Sequence, residues 1–153
     1  TVPATTATMA INGPAFSAYL SSNQNLTAAT YTKVTMDTET FDVGSCFDTS
    51  TNRFTPNVAG YYLVNAVIAF NSTAANSTTA IALVYKNGSS VKAGTGASPT
   101  SRYTGIATGI VYMNGTTDYL EAYAYASGGS GTLYVEVSGS KYTYFDACLI
   151  RAA

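Results

Sequence analysis

The sequence has no histidine, and only seven Lys and Arg with eight Asp and Glu are spread over its 153 residues. Without histidine the Ser-His-Asp and Cys-His hydrolytic arrangements cannot be built, and no Gly-x-Ser-x-Gly elbow occurs, so an enzyme is the remotest reading. A Cys/His zinc site is excluded on the same ground, because Cys46 and Cys148 alone cannot complete one. Two cysteines are no disulfide framework either. They read as two buried free thiols; the alternative, a bridge tying the early chain to its last strand, is a question of geometry. The few cations form no cluster, so counterion release cannot drive binding and nucleic acid is not an expected partner. No apolar run approaches the roughly 20 residues that span a bilayer, so no membrane insertion is expected and the chain reads as soluble. Phosphate-loop motifs are missing, and Gly94-Thr95-Gly96 reads as a flexible loop. The start, Thr1-Val2-Pro3-Ala4-Thr5-Thr6, lacks the character of a signal peptide and has no initiating methionine, so the chain is expected to be a piece of a longer protein.

Charged residues make up 10% of the chain and apolar ones 46%. The polar surface must therefore come from Thr, Ser, Asn and Gly, and the low net charge excludes a disordered tail. Thirteen tyrosines and six phenylalanines supply the packing. The length suits one domain with a substantial core. Its longest nearly unbroken apolar stretch runs from Phe54 to Phe70, entered through Pro56 and Gly60. Read as a strand, it sends Tyr62, Val64, Ala66, Ile68 and Phe70 to one face and Tyr61, Leu63, Asn65, Val67 and Ala69 to the other. Both faces are mostly apolar, so the strand needs a second cover, either another layer of the same chain or a neighbouring subunit.

Along the chain, residues 1–12 read as a lead-in from a preceding stalk and residues 13–153 as the head domain. Short strands are predicted from Ala15 to Leu20 and from Lys33 to Asp37. Ile81 to Tyr85 is followed by Asn87-Gly88, the strongest hairpin signal, since Asn-Gly readily adopts positive φ. Tyr103 to Met113 and Thr117 to Ala126, separated by Asn114-Gly115, read as a second hairpin. Thr132 to Val137 and Tyr144 to Ile150 close the chain. Asn71 to Thr79 and Gly94 to Ser101 read as surface loops. No stretch shows a helical period with caps. The chain reads as all-β, with eight to ten strands at the turn spacing of a sandwich.

Asp37, Glu39, Asp42 and Asp48 crowd one region, and hard cations such as calcium want clustered oxygens. Their spacing matches no calcium loop, and a solvated acidic rim is the favoured reading; Asp118 with Glu121 is a weaker pair. No cofactor or metal is assigned. Asn-x-Ser/Thr sequons at Asn25, Asn71, Asn76, Asn87 and Asn114 are ascribed to chance in so Asn/Ser/Thr-rich a chain. Tyr119, Tyr123 and Tyr125 share a strand face and are the candidates for stacking against a carbohydrate; the plainer alternative is packing at a subunit interface.

The order of these features resembles the C1q-domain family, related in fold to tumour necrosis factor, from Ala15 to Ile150. Ala15-Phe16-Ser17-Ala18 resembles the family's opening strand. Phe47-Asp48-Thr49-Ser50-Thr51-Asn52-Arg53-Phe54-Thr55-Pro56 resembles its Tyr-Asp…Thr-Gly-x-Phe-Thr signature, with Asn52 in place of glycine. Gly60-Tyr61-Tyr62-Leu63-Val64 resembles Gly-x-Tyr-x-Phe, Asn114 to Tyr125 resembles the Gly-Asp-x-Val/Ile arm, and Tyr144 to Ile150 resembles the closing Phe-x-Gly-x-Leu strand. The resemblance implies a ten-stranded jelly-roll sandwich that assembles as a homotrimer. Phe16, Tyr61, Tyr62, Leu63, Val64, Phe70, Phe145 and Leu149 would then lie in its core or trimer interface.

The low-charge Thr/Ser/Asn/Gly composition and linker-like start further resemble phage fibre domains. The expected protein is a non-enzymatic trimeric head on a virion, a bacteriophage fibre or capsid appendage, presenting its loops to a host-surface glycan or protein. A secreted pattern-recognition or adhesive protein and a purely structural trimerisation module are the alternatives.

Overall fold

The computed structural model describes residues 13–72, 79–96, 102–128, 131–137, 139 and 141–153. The lead-in expected over residues 1–12, the sequon at Asn76 and most of the two expected surface loops lie outside them. The described residues form thirteen strands and no helix. The excess over ten comes from pieces of two or three residues, which any assignment of strand ends splits or merges.

The apolar stretch is the centre of the first sheet. Its strand, β7 (Ala59–Ser72), begins past Pro56, and Arg53–Phe54 forms a separate short strand, β6, in the other sheet. On one side β7 pairs along its length with β10 (Arg102–Asn114), from Asn71 opposite Arg102 to Ala59 opposite Asn114. On its other side lies β13 (Tyr144–Ala152), followed by β1 (Ala15–Tyr19) and the edge strand β4 (Thr38–Val43). Past the start of β13, β12 (Leu133–Val135) takes its place beside β7, with β2 (Gln24–Leu26) outside it. The second sheet runs β5 (Phe47–Asp48), β6, β11 (Leu120–Ser127), β8 (Thr79–Lys86), β9 (Ser89–Gly96), with β3 (Thr32–Lys33) also paired to β11. All of these pairings are antiparallel.

Period-2 alternation builds the core between the sheets. From β7, Tyr62, Val64, Ala66, Ile68 and Phe70 are all buried, facing Leu120, Ala122, Ala124 and Ala126 of β11 across the sandwich. Phe16 is the hub. Its ring stacks on Phe47 at 4.6 Å and Phe54 at 4.5 Å and meets Phe145 edge-on at 5.0 Å. Tyr62 is buried beside them, with its hydroxyl donating to the Val58 carbonyl at 2.8 Å; burial pushes that hydroxyl's pKa up to about 12.

Two features correct the sequence reading. Gly94 and Gly96 are no loop: they lie in β9 where the sheets close on one another, and a Cβ on Gly94 would sit 1.6 Å from the Ile106 carbonyl oxygen of β10. Only glycine lets the backbones approach so closely. The second Asn-Gly turn makes no hairpin, because β10 belongs to the first sheet and β11 to the second, where it pairs with β8. The Asn114 side chain there accepts the amides of Thr116, Thr117 and Asp118, each at 3.0 Å, and carries the chain across. The Asn87-Gly88 hairpin is as expected, with φ of 51° and 81° joining β8 to β9. Asn52, in place of the glycine of the resembled signature, takes φ 54° and holds the turn by donating to the Met36 and Thr49 carbonyls.

Candidate functional site

The candidates for core or interface separate cleanly. Phe16, Tyr62, Val64, Phe70 and Phe145 are core, and Leu149 is partly buried against it. Tyr61 and Leu63 point the other way, onto the outward face of the first sheet. Across that face the register lines up three rows. One runs Val43, Ala15, Cys148, Leu63, Ile110; the next Phe41, Ser17, Asp146, Asn65, Thr108; the third Tyr19, Tyr144, Val67, Ile106.

Beyond the first row, Tyr61 packs edge-on against Tyr112 at 5.5 Å, and Ile150 and Arg151 border a groove of about 490 Å³. Ile106 and Ile110 are each 54% exposed, and Phe41, Val43, Tyr61, Leu63, Tyr112 and Ile150 are exposed with them. So many exposed large apolar side chains on one face are of the kind that marks an interaction surface. The face is not bare throughout. Val67 and Ala69 are buried, and the segment leading into β13 hydrogen-bonds over this end of β7, Thr143 Oγ1 accepting the Ala69 amide and the Glu136 amide donating to the Ala69 carbonyl. The second cover demanded by the sequence is thus partly the chain itself.

The outward face of the second sheet is of another kind. It carries the three candidate ligand tyrosines, and each is already engaged. Tyr123 stacks on Tyr85 at 4.0 Å, Tyr125 meets Tyr31 at 4.7 Å, and the Arg53 guanidinium lies 4.0 Å over the Tyr119 ring. Between them Glu121 is buried, its Oε1 accepting Arg53 Nε at 2.9 Å and Lys33 Nζ at 3.2 Å. Burial pushes the Tyr85 and Tyr123 hydroxyls above the usual tyrosine range. These tyrosines lie on the sheet opposite the apolar face, so they take no part in that surface.

The acidic residues are not gathered into a site. Asp37 accepts the amide and hydroxyl of Ser21, Asp42 the amides of Cys46 and Phe47, and Asp48 the amide and hydroxyl of Ser50 with the hydroxyl of Thr51. Glu39 is exposed on β4. Each of the three aspartates holds its own turn, and among the described residues no three acidic or thiol side chains group as a cation would require. Asp118 pairs with Lys86 at 2.8 Å, apart from Glu121 and its own cations. Both cysteines are free. Cys46 is buried as expected, whereas Cys148 is exposed, because alternation along β13 sends it to the outward face. At three sequons the asparagine is already in use: Asn71 accepts the Ser72 amide, Asn87 accepts the Tyr119 amide and donates to Asp118, and Asn114 caps its turn.

No family model and no curated protein matches the sequence. Solved structures do. The globular domain of zebrafish complement 1qA superposes with a TM-score of 0.63 at 17% identity, covering 92% of this chain and 99% of that one. Murine APRIL at pH 5.0 gives 0.67 at 11% identity, covering 90% and 99%, and Eiger TNF from S. frugiperda 0.65 at 12%, covering 92% and 93%. The chain has the C1q/TNF jelly-roll fold. In this jelly roll the outward face of the first sheet and the tyrosine face of the second are the two candidate surfaces, and sequence alternation had found one arm of each. Sequence reasoning missed Phe41, Val43, Ile106 and Ile110, which fall on the outward parity of their strands once the register is known, and Ile150, which sits at the bulge between Leu149 and Arg151.

Proposed function

We propose that the protein is a non-enzymatic homotrimeric head that assembles through the outward face of its first sheet. The observation that carries this is the patch around Ile106, Ile110, Leu63, Tyr61 and Tyr112, too apolar to face water on a subunit of so little charge. The likeness in fold to C1q and TNF domains supports the same reading. Light scattering at micromolar concentration tests it: the expected mass is three times the 15.9 kDa of the chain, and a monomer that stays soluble overturns it.

The head belongs on a virion, as part of a bacteriophage fibre or capsid appendage, with residues 1–12 leading in from a stalk and residues 13–153 forming the head. The support is compositional, a surface of Thr, Ser, Asn and Gly with few charges. Finding the protein in purified virions by mass spectrometry checks this; its secretion by an uninfected cell contradicts it. Recognition of a host-surface glycan falls to the second sheet, because Tyr119, Tyr123 and Tyr125 together with Tyr31 and Tyr85 present aromatic surface and hydroxyls on one side of the head. On a glycan array, specific binding lost in Tyr123→Ala supports recognition there. Absence of any binding leaves a purely structural role.

A further inference from the structure

One row of the outward face of the first sheet does not belong to an apolar surface. Between the Leu63–Ile110 row and the Val67–Ile106 row the register places Ser17, Asp146, Asn65 and Thr108 side by side on β1, β13, β7 and β10. At one end of the row Thr108 donates to Asn65 Oδ1 at 2.6 Å. Asp146 is not satisfied: Ser17 sits opposite it on β1, but its Oδ1 is buried without a partner among the described residues. It lies in a notch of about 240 Å³ walled by Phe41, Leu63 and Cys148 and floored by Ser17 and Asn65.

Among the described residues no cation faces this carboxyl. Across the row, β1 offers Ser17 flanked by Ala15 and Tyr19, β7 offers Asn65 flanked by Leu63 and Val67, and β10 offers Thr108 between two isoleucines. On β4 the charged groups are the exposed Glu39 and Asp42, which is held by the Cys46 and Phe47 amides. On β13 itself Cys148 and Tyr144 flank Asp146, and Arg151 lies at the far end against Tyr61. An ionised carboxylate accepts hydrogen bonds but cannot donate, and burial without a countercharge favours its neutral form. Desolvation already holds Asp146 above the usual carboxylate range within a single subunit, against the lowering effect of Ser17.

We propose that Asp146 makes self-association through this face proton-linked: the subunits come together with the carboxyl protonated, so the assembly tightens as pH falls and loosens as pH rises. This rests on the reading of the face as the assembly surface. A second copy is the occupant that fits, because the exposed apolar side chains around the notch, Phe41, Leu63, Ile106 and Ile110, need an apolar cover, which removes the last water from Asp146 when it seats. The sign follows from linkage. The assembled form binds more protons than the free subunits, so association weakens with rising pH, by up to about tenfold per pH unit for each proton and about a thousandfold for three. Between pH 5 and 8 the acids of the turns stay ionised, since Asp37, Asp48 and Asp118 are all held below the usual range.

The test is sedimentation of the wild-type chain and of Asp146→Asn from pH 5 to 8, with calorimetric dilution of the wild type in two buffers of different ionisation enthalpy. The expected results are an association constant that falls with pH for the wild type, nearly pH-independent assembly for Asp146→Asn, and uptake of about one proton per subunit on association. The calorimetry needs no variant and stands if Asp146→Asn fails to fold. A wild-type trimer whose affinity and proton count do not change over this range overturns the proposal and leaves the assembly reading in place. Weaker assembly of a folded Asp146→Asn at every pH also overturns it, since the charge itself would then be in use. A wild type monomeric at every pH overturns the assembly reading, and the proposal with it.

Discussion

The two outward faces of the sandwich are built from the same alternation but complete themselves differently. On the second sheet Tyr119 and every large outward side chain of β11 have a partner within the subunit: Tyr123 has Tyr85, Tyr125 has Tyr31, Tyr119 has Arg53, and Glu121 has Arg53 and Lys33. On the first sheet Tyr61 has Tyr112, while Ile106, Ile110, Leu63, Ile150, Phe41 and Val43 stay exposed. Aromatic stacking and ion pairing let a face rest against water, whereas branched aliphatic groups gain only by being covered. Exposure and the absence of partners together distinguish the first face from the second.

The largest effect that breaks this comparison is expected from Ile110→Arg. An unpaired charge buried in an apolar contact costs about 3–5 kcal/mol, so sedimentation should show assembly lost while circular dichroism and the unfolding of the subunit stay nearly unchanged. The second face should respond in the opposite way. Glu121→Ala leaves Lys33 and Arg53 without their shared carboxylate; because both cations are about a third exposed, solvent screening reduces the loss to about 1–2 kcal/mol in chemical unfolding, with the mass of the assembly unchanged. Smaller still is the pair Tyr123→Ala and Tyr61→Ala. Removing either aromatic contact costs about 1 kcal/mol, expected in subunit stability for Tyr123 and mainly in association for Tyr61. The last handle is acid. Asp48, held at about 2 by Ser50 and Thr51, and Asp37 and Asp118, also lowered, contribute stability that is present above the ordinary 3.8 and lost as pH falls towards their folded values. Thermal unfolding at steps from pH 5 to 2 should show that loss, while Asp146, shifted the other way, is relieved by the same acid.

Where the sequence was legible, the cause was local. The alternation of β7 depends only on strand geometry, and the Asn87-Gly88 turn only on two residues that tolerate positive φ. The resemblance of ordered motifs then supplied the sandwich. What stayed unread depended on partners distant in sequence. Asn114-Gly115 repeats the chemistry of Asn87-Gly88, yet its strands go to different sheets, because Asn114 caps a crossing instead of turning a hairpin. Gly94 and Gly96 look like a loop until β10 is placed against them. Cys148, read as a buried thiol, follows its parity on β13 to the outward face, and Asp146 and Asn65 reveal a polar row only when β7 and β13 are in register. Tyr119 and the tyrosines of β11 were found by alternation, but the partners of that face, Tyr31, Tyr85, Lys33 and Arg53, come from other strands and loops and needed the fold.

Cys148 also supplies the most direct measurement. It is the exposed thiol of the described chain, set in the apolar face between Ala15 and Leu63, while Cys46 is buried in the core. Native protein is exposed briefly to a maleimide at tens of micromolar and again after dilution to nanomolar, and labelling at Cys148 is read by mass spectrometry. If the first sheet's outward face is the assembly surface, Cys148 is protected at the higher concentration and labels readily after dilution and dissociation. Rapid, complete labelling of Cys148 in the concentrated protein would show that face open to solvent and contradict the account.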